Sequence, residues 1–149
     1  MLGDLYSDAI LKAAAAIPPA HRLGAPDASA KRVSRVCGSE VSVDLKMEGD
    51  RVTDFGMEAR ACALGQASAS IVARNIVGAD AAELLGLRES MRLMLKEGGP
   101  PPGGARWREL AVLAPIRDYP QRHASTLLIF DAVAECLGRL GYAAPGPAN

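Results

Sequence analysis

The sequence predicts an α+β domain in which a small antiparallel sheet is packed on one side by helices. Two observations carry this. Val41, Val43, Leu45 and Met47 alternate with Ser42, Asp44, Lys46 and Glu48, the period-2 pattern of a half-buried strand. After the partner strand, the remaining apolar residues recur at helical spacing, so strands come first and helices follow.

The elements follow in order. Leu5, Ala9, Ala13 and Ile17 form one stripe of a helix over Leu2–Ile17, ended by Pro18-Pro19. Residues 18–36 read as a polar connection with little periodicity. Gly49-Asp50 joins two strands as a tight turn, and the return strand runs Arg51–Ala61. Its apolar phase slips near Asp54–Gly56, which predicts a bulge there. Ala67, Ser68, Ala69, Ser70 and Ala73 mark a helix of small residues stopped by Gly78. Asp80 with Glu83 resembles a capping box and opens a third helix, buried through Leu84, Leu87, Met91 and Met94. Gly- and Pro-rich residues 97–105 form a surface loop or hinge, followed by a short helical turn over Trp107–Leu113. A last helix starts near Pro120 and runs to about Leu140. One domain spans 1–142, and 143–149 is a flexible tail.

Composition excludes several classes. Lys and Arg number 17 against 17 Asp and Glu, so there is no basic excess for nucleic acid. No window approaches the roughly 18 apolar residues that span a bilayer. The N-terminus carries Asp4 and Asp8 and lacks the basic start of a signal peptide. Three cysteines without a secretory signal predict reduced thiols and a cytoplasmic location. No Gly-x-Ser-x-Gly elbow or phosphate-cradling loop is present, which argues against a classical hydrolase.

Cys37 precedes the Val41–Glu48 strand, and Cys62 follows its partner. A hairpin brings those outer strand ends together, so the two thiols are expected close in space. Cys62 also precedes a helix, whose N-terminal N–H groups favour a thiolate. Two thiolates suit zinc, iron or a cluster, although a closed structural zinc site wants about four ligands. The alternative is that both are small buried hydrophobes. Cys136 lies among Val133, Leu137 and Leu140 and reads as core.

Cys37-Gly-Ser-Glu-Val-Ser-Val with its Gly-Asp hairpin, Cys62-Ala-Leu-Gly-Gln-Ala-Ser-Ala-Ser, and Tyr119-Pro-Gln-Arg-His-Ala-Ser-Thr-Leu-Leu stand in order. Together they resemble the NifU/IscU iron–sulfur cluster assembly scaffolds, nearest their SufU-type branch, over about residues 4–140. Tyr6-Ser7 and the insertion around 90–115 are similar as well. The resemblance implies a SufE/NifU-like fold and a scaffold or carrier for iron or an iron–sulfur cluster, with a cysteine desulfurase and recipient apoproteins as partners. The chain itself is expected to be a monomer or weak homo-oligomer. It departs from the family at two metal-site positions: the family aspartate falls at Ser39 and the third cysteine at Ser125. Cys37 and Cys62 remain as metal ligands. His123 is a candidate replacement, although two helical positions from Ser125 differ by about 200°. His21 and Glu40 are weaker candidates. Ser39, Arg122 and Ser125 are expected to line the site, Arg122 either toward an anionic group or as a solvated charge. Two other readings stay open: a zinc-dependent persulfide acceptor, enzyme-like as a sulfurtransferase, and a metal-free interaction module.

Overall fold

The computed structural model describes residues 7–35 and 38–142. Helix α1 (Asp8–Ala15) starts where the Ser7 hydroxyl accepts the Ile10 N–H at 3.3 Å. The predicted start at Leu2, and Tyr6, lie outside the described residues. The buried stripe is Ile10, Ala13 and Ala14. Ala9 is exposed, so the stripe is rotated by about one position from the expected one.

Three strands form one antiparallel sheet in the order β1-β2-β3: β1 (Ala28–Val33), β2 (Glu40–Glu48) and β3 (Arg51–Arg60). β1 lies inside the segment expected to be an irregular connection. Only Ala28 and Ala30 of it are buried, and alanine is a weak strand marker. Lys31, Arg32 and Val33 are exposed at the sheet edge, where charge discourages further pairing.

The β2–β3 turn falls at Gly49-Asp50 as expected, with Gly49 at φ 61°. The bulge sits one position earlier than expected. Lys46 pairs with Asp54 and Met47 with Val52, so Thr53 is the extra residue. Thr53 and Asp54 both face outward, and the Thr53 hydroxyl donates to the Lys46 carbonyl at 3.2 Å.

Asp44, on the strand face expected to be polar and solvated, is 1% exposed. The segment after Pro18-Pro19 crosses over it. His21 exchanges backbone hydrogen bonds with Met57, and Arg22 grips Asp44 through Nε at 2.7 Å and Nη2 at 2.8 Å. Ser29 Oγ and the Leu23 N–H add bonds of 2.6 and 3.0 Å. Gly56 makes this close approach possible, since a Cβ there would lie 2.9 Å from the His21 carbonyl and 3.0 Å from Asp44 Oδ2.

The inner face, with Val41, Val43 and Leu45 buried, receives the helices. These are α2 (Ala63–Asn75), α3 (Ala81–Glu97) and α4 (His123–Arg139). α4 crosses β1 and β2, α2 and α3 pack on α4, and α1 packs on α2. Leu84, Leu87, Met91 and Met94 of α3 are buried as expected. Asp80 caps α3 by accepting the Glu83 N–H at 2.8 Å. The Glu83 carboxylate completes no box; it accepts from Trp107 Nε1 at 2.7 Å and meets Arg106 Nε at 3.0 Å. The expected short turn at Trp107–Leu113 is a longer 3-10 segment, Ala105–Asp118, buried through Trp107, Leu110, Leu113 and Ile116. A 3-10 turn, Pro120–Arg122, then leads into α4.

Candidate functional site

β2 and β3 begin and end at the same edge of the sheet: Glu40 pairs with Arg60. Just beyond this edge the chain turns into α2, with Cys62 at its N-cap. Cys62 is half-buried and makes no side-chain cap bond. Its Sγ lies 3.1 Å from Ser125 Oγ, on the first turns of α4. Ser125 is 2% exposed.

The close seating of α2 on α4 has a visible cause. Gly65, one turn into α2, faces Ser125. A Cβ there would lie 2.8 Å from the Ala61 Cβ and 3.1 Å from Ser125 Oγ. Ala67, Ser68, Ala69 and Ser70 continue the small, buried surface. Ser68 satisfies its hydroxyl on the Gly65 carbonyl at 3.1 Å, so burial leaves no orphan group.

Cys37, and with it the expected approach of its thiol to Cys62, lies outside the described residues. Its described neighbours occupy the connection between β1 and β2. The Ser34 N–H donates to the Ser39 carbonyl at 2.8 Å, and the Gly38 N–H donates to the Ser34 carbonyl at 2.9 Å. Ser39 is 2% exposed and directly precedes β2, hence one residue from the Glu40–Arg60 pair and at the sheet end that carries Cys62.

His123 points elsewhere. It is 5% exposed, and Nε2 lies 3.1 Å from the carbonyls of both Ile116 and Arg117. Two carbonyl neighbours require that nitrogen to carry the proton. The ring thus ties the start of α4 to the end of the 3-10 segment. Ser125, two residues on, faces Cys62, in line with the opposed directions expected of these positions. Arg122 is half-buried, and no carboxylate pairs with it among the described residues. His21 is held by its backbone at Met57. Glu40 faces Lys31 Nζ at 3.6 Å. Cys136 is fully buried, with Sγ 3.8 Å from the Val43 carbonyl, and burial, aided by nearby Asp44 and Glu135, pushes its thiol up to about 12. Among the described residues, no group of three or more His, Cys, Asp or Glu side chains is arranged to hold a metal ion. No helix there is long and apolar enough to cross a membrane.

Sequence reasoning named Cys62 and Ser125 but passed over Gly65. The signal available for it was its place between Cys62 and the run of small residues.

Fold and site define a small α+β domain that presents a thiol where the sheet ends and a tightly packed helix begins. The family model for the NifU-like N-terminal domain matches residues 11–126. The chain belongs to that family. The solved N-terminal NifU-like protein of Brucella abortus is 50% identical and superimposes with a TM-score of 0.90, covering 93% of this chain and 96% of that one. A SUF-system scaffold structure from Fervidobacterium islandicum, 21% identical with a TM-score of 0.80 over 91% of this chain and 98% of its own, shares the fold. In sequence, the iron-sulfur cluster assembly scaffold protein IscU of Thermotoga maritima is 28% identical over 104 residues, 70% of this chain and 72% of that protein. Its Streptococcus pyogenes serotype M1 counterpart is 26% identical over 103 residues, 69% of this chain and 64% of its own length.

Proposed function

We propose that this chain is an iron–sulfur cluster assembly scaffold. In this reading Cys37 and Cys62 hold iron or a nascent cluster as cargo, a cysteine desulfurase supplies sulfur, and recipient apoproteins take the product, in a thiol-reducing cytoplasm. The single observation that carries it is the half-exposed Cys62 thiol at the N-cap of α2, 3.1 Å from the hydroxyl of Ser125, the position at which the family resemblance implies a third cysteine. Exposed N–H groups at a helix N-terminus suit an anionic sulfur ligand. Two soft thiolates fit iron, and a site short of protein ligands releases its cargo readily.

The persulfide-acceptor reading is weaker. It relies on the third thiol, and a serine hydroxyl at 125 cannot carry persulfide sulfur. His123 is left out of the proposed ligand set because its Nε2 is already engaged by two carbonyls. Ser39 and Ser125 line the site, and Arg122 stands beside it.

The test is anaerobic reconstitution with ferrous iron and inorganic sulfide, reading bound iron, labile sulfide and the visible absorption of a cluster. The parent chain and Cys136→Ala should load, whereas Cys37→Ala and Cys62→Ala should not. Loading that survives both of the latter changes would dismiss the site.

A further inference from the structure

Cys62 occupies the N-cap of α2, a position from which a side chain can accept a hydrogen bond from the first-turn N–H groups. Its sulfur accepts none of them. The contact it makes comes from the other helix, from the Ser125 hydroxyl at 3.1 Å. Cys62 is half-buried and Ser125 is 2% exposed, so the hydroxyl approaches the sulfur from its buried side. Neighbouring hydroxyls behave differently. Ser68 donates to the Gly65 carbonyl at 3.1 Å, and Thr126 donates to the Arg122 carbonyl at 2.9 Å, each along its own helix. Helical serines and threonines often bond back in this way. Ser125 instead reaches from α4 to α2, and Gly65 permits that reach, since a Cβ there would lie 3.1 Å from Ser125 Oγ.

Which atom donates depends on the state of the sulfur. Between a thiol and a hydroxyl, either can give the proton. A thiolate has no proton to give, and the thiolate is the form that binds metal ions. Once Cys62 is a metal ligand, the Ser125 hydroxyl is therefore the donor. The ionised acceptor strengthens the bond. Such a bond draws electron density from the sulfur and so from its bond to the metal. Hydrogen bonds to the ligating sulfurs are among the factors that set the potential of an iron–sulfur cluster.

We propose that Ser125 is a positioning residue that acts through Cys62: its hydroxyl donates to the metal-bound sulfur, weakens the electron donation of that sulfur and raises the reduction potential of an iron–sulfur cargo. A thiol at position 125 would be a further ligand. A hydroxyl there modulates Cys62 without itself binding a soft ion. The iron–sulfur cargo rests on the scaffold reading; the hydrogen bond to a ligand sulfur does not.

The experiment separates the two by comparing the parent chain, Ser125→Ala and Ser68→Ala. Alanine removes the oxygen and favours helix, so α4 is kept. Ser68→Ala deletes a buried hydroxyl from α2 whose bond goes to the Gly65 carbonyl and not to sulfur. Divalent cobalt, a thiolate-binding stand-in for iron and zinc, reports the Cys62 sulfur through its sulfur-to-cobalt absorption. The cluster assembled from ferrous iron and inorganic sulfide reports its midpoint potential during stepwise reduction. In Ser125→Ala the cobalt band should move to longer wavelength and the potential should become more negative, as an electron-richer sulfur requires. Ser68→Ala should match the parent in both. An unshifted band or potential in Ser125→Ala, an equal shift in Ser68→Ala, or a parent that binds no cobalt overturns the role of Ser125. A parent that takes up cobalt but assembles no cluster overturns the scaffold reading instead, and the cobalt band still decides the hydrogen bond.

Discussion

Ser125 places its hydroxyl 3.1 Å from the sulfur of Cys62, across 63 positions of chain. The contact exists because Gly65 lets α2 lie against α4 with no side chain between them. A hydroxyl at that point is a poor ligand for soft metal ions, whereas a thiol would be a good one.

Ser125→Cys should therefore add a sulfur ligand beside Cys62. Zinc affinity, measured by competition with a chromophoric chelator, should rise at least about tenfold, since zinc sites gain from each added thiolate. No gain would mean that the 125 side chain does not share an ion with Cys62.

Gly65→Ala should damage the same joint from the other side. The new methyl would meet the Ala61 Cβ at 2.8 Å and Ser125 Oγ at 3.1 Å. Overpacking of this kind costs about 1–3 kcal/mol. Urea unfolding should report that loss, and the rate at which Cys62 is alkylated should change as α2 moves off α4.

His123→Gln tests the structural role of the histidine. The ring is buried, and Nε2 meets the carbonyls of Ile116 and Arg117 at 3.1 Å. Gln keeps an N–H donor for those carbonyls, so stability should fall by no more than about 1 kcal/mol, whereas His123→Ala should cost about 1–3 kcal/mol by orphaning them. Iron bound per chain should be unchanged in the Gln variant. A lost equivalent of iron would make His123 a ligand.

Asp44 gives the fold an acid-sensitive clasp. The Arg22 guanidinium, helped by Ser29 and the Leu23 N–H, holds its carboxyl at about 2, below the ordinary 3.8. A depressed folded-state value stabilises the fold above the unfolded-state pKa, and that stabilisation drains away as pH falls from about 4 toward 2. Its full size is of the order of 2 kcal/mol. Urea midpoints measured at pH 5 and pH 2.5 should differ less in Asp44→Asn than in the parent. An identical pH dependence in both would exclude the clasp.

Cys136 should remain silent toward alkylating agents at pH 8 while Cys62 reacts. Burial pushes its thiol to about 12, so little thiolate forms in the native state. Mass spectrometry of the peptides after brief iodoacetamide treatment checks this. Equal labelling would mean that α4 opens readily from the sheet.

Legibility in the sequence tracked side-chain contrast. The β2–β3 hairpin was readable because Val41, Val43 and Leu45 alternate with polar neighbours and Gly49 supplies the turn. Likewise, α3 was readable from Leu84, Leu87, Met91 and Met94. β1 was not, because its buried residues are two alanines. The bulge was visible only as a slip of phase, since pairing partners, not periodicity, decide which residue is extra. Cys62 was named as a site position from its place at the end of the hairpin and before a helix, and Ser125 from motif likeness, yet nothing local announced that their side chains touch.

By itself the sequence determined which residue types were on offer: two thiols flanking a β-hairpin, a serine two residues into the last helix's first turn, and a small-residue helix. Periodicity encodes which face of an element is apolar, because each element must bury that face. Only the tertiary structure decided which side chains meet. Gly65 and Gly56, having no side chain of their own, allow α2 to press Cys62 onto Ser125 and allow the Arg22 segment to cover Asp44. Contacts of that kind depend on how closely two backbones approach, a distance that no single element's pattern contains.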